Sequence, residues 1–374
     1  MYQINTKRFS RIISIETNQQ CNLHCVYCYE IDRSALVFDI DKIKKIVTKL
    51  LSKPTPLGTV IDLHGGEPFL VFKQIKELCI WLWSQNFDED FIVHVTTNGT
   101  LVHNDIQKWL FDNKEKIVLK LSLDGNSEAH NINRCNSFDK IDLSFFIKTW
   151  PNEGVKMTIS PESLHLMADS IIYLHSIGFV NIQADLADVS TWNKDTDAII
   201  LLEQFDALNT FYLNSPNIKL CSLYNIPFDK CFDNSPKKYA KACTTGCKIA
   251  IDIHGDKYPC HVFFPSESKS SKLKDFLNCD LDKESTFVSD KCFDCEIKFL
   301  CSTCYGSNII TRDAISHRDS NRCTLEKVRI SQACVLHYNR IIKALKIEPN
   351  DYRIMLAIKQ LEKFIHKTLS FDLC

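Results

Sequence analysis

The sequence predicts an α/β fold, in which a partial barrel of strand–helix units is followed by a smaller Cys-rich domain. Short β-branched runs alternate with amphipathic helical stretches over about the first 210 of the 374 residues, as in folds built from right-handed βαβ units. The periodicity then fades between Cys221 and Cys323, where most of the cysteines lie. The chain also exceeds the roughly 250–300 residues at which a single core stops growing. We therefore expect two domains, at residues 1–215 and 216–374.

The barrel prediction rests on six strand-like segments and on the helical patterns between them. The predicted strands are Arg11–Glu16, Thr59–Leu63, Phe91–Val95, Ile117–Leu123, Val155–Ile159 and Val180–Ala184. Helical patterns such as Asp41–Leu51 and Ser163–Ser176 place apolar residues on one face. Six units are too few for a closed barrel of eight, so we expect an open, partial (β/α)6 barrel of the TIM type. In such a fold the functional groups lie at the C-terminal ends of the strands.

The composition limits the possible partners and compartments. Lys and Arg number 45 against 46 Asp and Glu, so the charge gives no support for nucleic acid or an anionic membrane as a partner. Residues 1–20 lack the apolar core of a secretory signal, and the most apolar stretch, Leu78–Trp83, is too short to span a bilayer. We therefore expect a cytoplasmic protein. A cytosolic chain of this size does not need disulfide bonds, so its 18 cysteines are interpreted mainly as ligands.

The first cysteine motif directly follows the first predicted strand. Cys21, Cys25 and Cys28 have the spacing C-x3-C-x2-C, which allows three thiolates to bind one face of a [4Fe–4S] cube. A cube needs four ligands, so the motif leaves one iron open for a ligand from outside the protein, as catalytic zinc sites keep an open position. The alternative is a zinc site with His24 as the fourth ligand. His24 lies between two of the cysteines, which would make a mononuclear site cramped.

A second motif follows the second predicted strand. Residues 64–68 read HGGEP, where two glycines allow a close approach of the backbone and a glutamate adds a carboxylate. The cysteine spacing, its position after the first strand and the aromatic Tyr27 before the last cysteine resemble the motif of the radical S-adenosylmethionine (SAM) superfamily. In that family a GGEP-type motif binds the amino group of the methionine moiety of SAM. The matching residues here are Gly65, Gly66, Glu67 and Pro68.

Weaker matches to the same family follow in the expected order along the chain. Asn98 comes after the third predicted strand, and the fourth ends in a run with the pattern SLDGxxxxHxxxR. This run resembles the subfamily that modifies peptides. The resemblance implies that Ser122 lies at the ribose of SAM and that Arg134 lies near its carboxylate. Asn98, Asp124 and Tyr27 complete the set of residues expected at this cofactor.

A second set of eight cysteines lies in the C-terminal part of the chain. Its members are Cys243, Cys247, Cys260, Cys292, Cys295, Cys301, Cys304 and Cys323. Eight thiolates suit two fully ligated iron–sulfur clusters. Zinc ribbons separate their cysteine pairs by about 15–20 residues, whereas the two central pairs here are five residues apart. The set resembles the SPASM domain of radical SAM peptide maturases, in which two auxiliary [4Fe–4S] clusters have interleaved ligands.

The resemblance implies a specific division of these ligands, and hence three [4Fe–4S] clusters in all. The ligands of auxiliary cluster I would be Cys243, Cys247, Cys260 and Cys304. The ligands of auxiliary cluster II would be Cys292, Cys295, Cys301 and Cys323. The family usually has three residues between the last pair of the central group, but here there are two, which affects the assignment of Cys304. The seven remaining cysteines match no ligand spacing and are interpreted as structural.

The resemblance further implies radical chemistry on a peptide or protein. In this family a reduced cluster passes one electron to SAM, and the resulting 5′-deoxyadenosyl radical takes a hydrogen atom from the substrate. The expected reaction is a C–C or thioether cross-link in a ribosomally synthesised precursor peptide. The alternative is the formation of formylglycine from a Cys or Ser of a sulfatase. That branch typically has an Asp after the Cys of its GxxxxC element, where this chain has His261, and the difference favours cross-linking.

Further expectations concern the partners and the catalytic groups. The family implies an electron donor such as flavodoxin or ferredoxin. No leader-binding domain fits before the first strand, so we expect a leader to be recognised by the barrel, the Cys-rich domain or a separate protein. The candidate bases are His261, because an unperturbed imidazole titrates near neutral pH, and Asp124 and Asp185, which follow predicted strands. The non-enzymatic alternative is a zinc-binding interaction protein.

Overall fold

One sheet organises most of the protein. The structure, a computed structural model, describes residues 9–30, 33–232, 248–265, 286, 288–301, 303–344 and 346–370. The sheet has eight strands in the order β6–β5–β4–β3–β2–β1–β7–β8. Their bounds are β1 (Arg11–Glu16), β2 (Thr59–His64), β3 (Phe91–Thr97), β4 (Ile117–Ser122), β5 (Val155–Ile159), β6 (Ile182–Leu186), β7 (Lys248–Ile251) and β8 (Lys257–Tyr258). Strands β1 to β7 pair in parallel, and β8 runs antiparallel to β7. This arrangement confirms the predicted α/β class and partial barrel.

Helices connect the first six strands and build the C-terminal region. The connecting helices are α1 (Ile40–Leu51), α2 (Phe72–Ser84), α3 (Asn104–Asp112), α4 (Ser127–Asn133), α5 (Leu143–Thr149), α6 (Met167–Ser176) and α7 (Thr196–Asn214). The later helices are α8 (Asp290–Phe293), α9 (Tyr305–Arg312), α10 (Ser320–Lys343), α11 (Pro349–Gln360) and α12 (Glu362–Leu369). Short 3-10 turns occupy Pro68–Val71, Phe138–Lys140, Pro161–Leu166, Ser222–Tyr224, Phe228–Cys231 and His261–Phe263.

The outer face of the sheet is apolar and packs beneath the connecting helices. Alternate strand residues such as Ile13, Ile61 and Val93 are fully buried there, because successive side chains of a strand point to opposite faces. Helix α1 shows the matching pattern, since its buried residues Ile43 and Val47 recur at helical spacing. Each such side chain stabilises the fold by about 1.5–3 kcal/mol through removal of apolar surface from water.

The opposite, concave face of the sheet is polar, and we call it the lumen. The residues that alternate with the buried apolar ones include Ser14, Asp62, His94, Lys120, Lys156, Asp185 and Lys248. A strand face that carries charges in a buried sheet is costly unless those charges are paired or meet a ligand. The lumen is therefore the face of the sheet that is expected to bind ligands.

The C-terminal part continues both the sheet and its core. Strand β7 pairs with β1, with Ile12 opposite Lys248, and α10 lies along α7, where Asn209 Nδ2 donates to Gln332 Oε1 at 2.7 Å. The α10 residues Leu325, Val328, Ala333 and Leu336 belong to the same apolar core as the barrel strands. A second core joins α10 to α11 and α12. The division at residue 215 stays a prediction, and the sheet extends across it.

The sixth strand lies two residues later than predicted. Gly178 has a φ of +108° and ends the turn after α6, and Phe179 N donates back to Leu174 O at 3.0 Å. The first residues of the predicted segment Val180–Ala184 therefore belong to the connection, and the strand begins at Ile182. None of the helices in the described ranges has the combined length and apolarity needed to cross a membrane.

Candidate active site

The cysteine loop, residues 17–30, leaves the C-terminal end of β1 and is held against the loop that follows β2. Gly66 N donates to Asn18 O at 3.0 Å, and Glu67 N donates to Gln20 O at 2.8 Å. A Cβ atom on Gly66 would lie 2.1 Å from Gln20 O, so no other residue fits at this contact. The sequence predicted that the glycines admit a ligand, and the structure shows that they also admit the backbone of the cysteine loop.

Three N–H groups point at sulfur atoms of the cysteine loop. Leu23 N lies 3.4 Å and Asn98 Nδ2 lies 4.0 Å from Cys21 Sγ, and Arg134 Nη1 lies 4.0 Å from Cys25 Sγ. Burial raises the pKa of all three thiols in the loop, to about 12 for Cys21. Thiolates in such surroundings require a bound metal, which deprotonates a coordinating thiol outright. Buried sulfur atoms with N–H donors around them therefore fit an iron–sulfur cluster.

Glu67 is buried and ties the loop after β2 to the end of β3. Its Oε2 accepts from Asn98 N at 2.8 Å, and its Oε1 accepts from Thr97 Oγ1 at 2.7 Å and from Phe69 N at 3.1 Å. Burial raises the pKa of this carboxyl, and the three donors oppose the rise. Through these bonds Glu67 fixes Asn98, whose amide reaches Cys21. Pro68 opens the 3-10 turn that Glu67 caps.

Asp124 anchors a buried polar group beside the cysteine loop. Its carboxylate accepts from Tyr27 Oη at 2.5 Å, from Arg134 Nε at 2.9 Å and Nη2 at 3.2 Å, and from Thr158 N at 2.9 Å. The guanidinium also lies over the ring of Tyr27, 5.4 Å from its centroid. A carboxylate with four donors has little capacity left for a substrate proton. The geometry therefore gives Asp124 an anchoring role, and the charge of Arg134 is already balanced.

His130, the histidine of the SLDGxxxxHxxxR run, has a structural role. Its Nδ1 accepts from Asp124 N at 3.3 Å, and its Nε2 lies 3.0 Å from Ser137 Oγ. Burial, and then the nearby Arg134, lower its pKa to about 4. The ring is therefore neutral at pH 7 and holds the turn after β4 in place.

Two of the predicted residues face the lumen directly. Strand register sets Ser122 beside Lys156 and Asp185 beside Thr158. Asp185 is exposed to the open lumen, yet the surrounding walls desolvate it and raise its pKa, while Lys156 opposes the rise. A raised carboxyl pKa suits a group that exchanges protons near neutral pH. The geometry therefore supports Asp185 as a base, whereas it does not support Asp124.

His261 belongs to a half-buried cluster of rings that includes His64 and Tyr29. Its Nδ1 lies 3.0 Å from Lys248 Nζ and 3.8 Å from Cys260 Sγ. Its ring centroid lies 4.9 Å from that of His64 and 5.8 Å from that of Tyr29. Desolvation, followed by Lys248 and His64, holds its pKa well below the usual range. The ring is thus neutral, and its Nδ1 is assigned as the acceptor of the Lys248 ammonium.

The sequence analysis did not predict the series of polar side chains that reaches His261 through Lys248. Lys248 Nζ lies 3.7 Å from Asp62 Oδ2, which also accepts from Ser14 Oγ at 2.9 Å, and His94 Nδ1 lies 3.1 Å from Asp62 Oδ1. These residues come from β7, β2, β1 and β3. The available signal was a polar residue at every second position of an otherwise apolar strand, which marks the face opposite the core.

The auxiliary cysteines of the described ranges lie near one another. The thiol of Cys304 lies within the electrostatic influence of Cys260. The thiol of Cys301 is similarly affected by Cys323 and Cys295, and that of Cys323 by Cys292 and Cys295. Cys304 also lines one cavity with Cys301 and Cys323, so the division of these ligands between two clusters stays a prediction. The other two predicted ligands, Cys243 and Cys247, lie outside the described residues.

Cys301, Cys304 and Cys323 line one cavity that is open to solvent. Arg318 Nε and Arg322 Nη1 are buried in its wall and have no hydrogen-bond partner in the part of the chain that the structure describes. Buried N–H groups are nearly always paired, so sulfur-rich groups that accept from them fit this site. Over the same ranges, no three His, Cys, Asp or Glu side chains gather as for a single metal ion.

Comparison of the sequence with known proteins identifies a matching family and several similar proteins. Residues 15–142 match the Radical SAM superfamily. The chain is 22% identical over 319 residues to the cysteine-type anaerobic sulfatase-maturating enzyme of Clostridium perfringens (strain 13 / Type A), covering 75% of this chain and 84% of that enzyme. It is 22% identical over 372 residues to the radical SAM cyclopropyl synthase TigE of Paramaledivibacter caminithermalis, covering 88% of this chain and 75% of that enzyme.

A solved structure has the same fold. It is described as native anSMEcpe with bound AdoMet and Cp18Cys peptide, and it superposes with a TM-score of 0.64 at 19% identity. The superposition covers 88% of this chain and 98% of that one. The family match spans the cysteine loop, the Gly65–Pro68 loop and Arg134. Residues 15–142 therefore form a radical SAM domain, the domain of a superfamily of enzymes that use SAM and a [4Fe–4S] cluster.

Proposed function

We propose that this enzyme removes a hydrogen atom from a peptide and cross-links residues of a ribosomally synthesised precursor peptide through a C–C or thioether bond. The observation that carries the proposal is the junction between the cysteine loop and the Gly65–Pro68 loop, where N–H groups surround Cys21 and Cys25. The choice of a peptide draws on the relatives, since the solved structure of similar fold holds a peptide together with AdoMet.

The residues of the junction have distinct parts in this proposal. Cys21, Cys25 and Cys28 hold the [4Fe–4S] cluster. The SAM-binding residues are Gly65, Gly66, Glu67, Pro68, Asn98, Ser122 and Arg134, with Tyr27 and Asp124 as their support. When bound, the cluster and SAM supply one electron and then a 5′-deoxyadenosyl radical, which takes a hydrogen atom from the substrate. The protein's own contribution is to fix these groups and to exclude water.

The C-terminal cysteines bind two auxiliary clusters in this proposal. Cluster I uses Cys243, Cys247, Cys260 and Cys304, and cluster II uses Cys292, Cys295, Cys301 and Cys323. Support comes from the unpaired N–H groups of Arg318 and Arg322 beside these thiols. The radical SAM barrel then corresponds to residues 1–215 and the auxiliary-cluster domain to residues 216–374.

Proton transfer and electron supply complete the proposal. Asp185 is the favoured base, because it is exposed to the lumen and has a raised pKa. His261 is the second candidate, and its hydrogen bond from Lys248 makes it a weaker proton acceptor. The electron donor is a flavodoxin or ferredoxin in the cytoplasm. A leader peptide is bound by the barrel, the Cys-rich domain or a separate protein.

A second candidate function is the formation of formylglycine in a sulfatase. The similarity to the sulfatase-maturating enzyme extends over 75% of this chain, which favours it. The residue after Cys260 argues against it, because this chain has a neutral His261 where that branch typically has an Asp.

Products formed from two sets of peptides distinguish these reactions. The reconstituted full-length enzyme is incubated with SAM, dithionite and either short peptides encoded beside its gene or sulfatase peptides that contain Cys or Ser. We expect a precursor peptide to lose two hydrogens without replacement of any residue, with 5′-deoxyadenosine formed in step. Conversion of a sulfatase Cys or Ser to an aldehyde, with every precursor peptide unchanged, would establish the second candidate instead. Reactions without SAM are the control.

A further inference from the structure

Three polar side chains form a row across the lumen face of β4, β5 and β6. Strand register sets Ser122 beside Lys156, and Lys156 beside Gln183. Paired residues of parallel strands point to the same face. The residue before each of the three is buried in the core under the outer helices, which confirms that the row faces the lumen. Ser122 is the last residue of β4, whereas Lys156 and Gln183 are the second residues of β5 and β6.

None of the three side chains in this row has a hydrogen-bond partner among the residues that the structure describes. Two other cations of the lumen are balanced, since Arg134 binds Asp124 and Lys248 approaches Asp62. Lys156 forms no ion pair within the same ranges, and Gln183 is exposed to the lumen. Within the described part of the chain, the row thus presents an ammonium group without an ion-pair partner, flanked by a hydroxyl and an amide.

Charged residues on the neighbouring strands face Lys156. Lys120 lies two residues before Ser122 on β4, about 8 Å from Lys156 along the sheet, and adds a second cation, so the lumen carries positive charge on this side. Burial keeps the pKa of His64 at about 4, so its ring is neutral. Asp185 lies two residues after Gln183 on β6, and it forms no ion pair with Lys156 within the described ranges.

We propose that Ser122, Lys156 and Gln183 bind a carboxylate of the peptide substrate. The hydroxyl, ammonium and amide groups are all hydrogen-bond donors, and an ionised carboxylate accepts from several donors at once. The inference rests on the proposed function and narrows its substrate class. The residue that enters the lumen is an Asp or Glu, or the peptide ends there in its free C-terminus.

The carboxylate of SAM is expected at a distance from Lys156. The amino and carboxylate groups of SAM share one carbon atom, and the proposed amino site is the Gly65–Pro68 loop after β2. Lys156 lies on β5, three strands further along the sheet and about 14 Å away. Ser122, the proposed neighbour of the SAM ribose, stands between the two ligands. This position brings the substrate carboxylate close to the ribose and hence to the reacting hydrogen.

The test compares blocked tripeptides on the reconstituted, SAM-bound, full-length enzyme. The probes are acetyl-Gly-Asp-Gly-amide, its neutral Asn analogue and the Asn analogue with a free C-terminal carboxylate. We expect a charged probe to bind about tenfold tighter than the neutral one, as for a charge-assisted hydrogen bond. Lys156→Gln abolishes this preference, Lys156→Arg retains it, and the affinity for SAM is unchanged in both. Lys108→Gln, an exposed position on α3, is the control for charge alone.

Three other results would contradict the inference. Equal binding of all three probes to the wild-type enzyme shows that the row does not bind a carboxylate. A preference that persists in Lys156→Gln moves the site elsewhere, and a loss of SAM affinity in that variant assigns Lys156 to SAM. The two charged probes distinguish a side-chain carboxylate from a chain terminus. SAM cleavage without any peptide is measured in parallel, so failure of the proposed function is seen separately.

Discussion

Replacement of Cys21, Cys25 and Cys28 together by alanine is expected to abolish SAM cleavage while the C-terminal cysteines keep their iron. The three thiols lie in one loop, where Leu23, Asn98 and Arg134 supply N–H groups to two of the sulfur atoms. Without the thiolates nothing in this loop holds a cluster, so about four irons are lost. The measurement is 5′-deoxyadenosine formed after anaerobic reconstitution and reduction, together with the iron content.

The matched control is Cys135→Ser, which changes a thiol beside the same loop. Cys135 is exposed, and its Sγ donates to His24 O at 3.1 Å, a bond that a serine hydroxyl can replace. We expect this variant to cleave SAM at the wild-type rate. Formation of 5′-deoxyadenosine by the triple variant, above the level without enzyme, would show that the cluster is bound elsewhere.

Gly66→Ala is expected to reduce SAM cleavage by about 100-fold, because a displacement of about 1 Å in a reacting geometry has an effect of that size. The new Cβ would meet Gln20 O at 2.1 Å and Cys21 N at 2.9 Å. Both are backbone atoms, so the clash is relieved only if the cysteine loop moves away from the loop after β2. The rate of 5′-deoxyadenosine formation and the melting temperature are measured on the same preparation.

Gly178→Ala separates this effect from a general loss of stability. Gly178 also has a positive φ, +108°, but its added Cβ would lie 3.5 Å from Ile147 Cγ2, an ordinary contact. The strained backbone costs about 1–3 kcal/mol, so this variant melts earlier yet keeps its SAM cleavage rate. If Gly66→Ala retained the wild-type rate, or if both variants lost activity equally, the junction would not be the determinant of cofactor geometry.

The barrel strands were predictable because their apolar residues alternate over short β-branched runs. β1 and β5 have the predicted ends, while β6 begins later because Gly178 and Phe179 extend the turn before it. Strand β7 was not predicted. It has only four residues, KIAI, and lies among weakly periodic sequence. Its partner is β1, more than 200 residues away, and no local signal specifies such a pairing.

The site was predictable where spacing along the chain carries the chemistry. The cysteine motif and residues 65–68 are local patterns, and the structure brings them together as neighbours. Asp124 was different, because only the fold shows that Tyr27 and Arg134 already engage its carboxylate. The row that contains Lys156 was missed for the same reason, since it is assembled from three strands by their register.

Analysis of iron, acid-labile sulfide and zinc in the anaerobically reconstituted protein tests the central claim most directly. Three cuboidal clusters, one at the cysteine loop and two among the C-terminal cysteines, predict about twelve irons per chain and a similar amount of sulfide. About four irons would restrict the claim to the cluster at Cys21, Cys25 and Cys28. Stoichiometric zinc without iron or sulfide would contradict it.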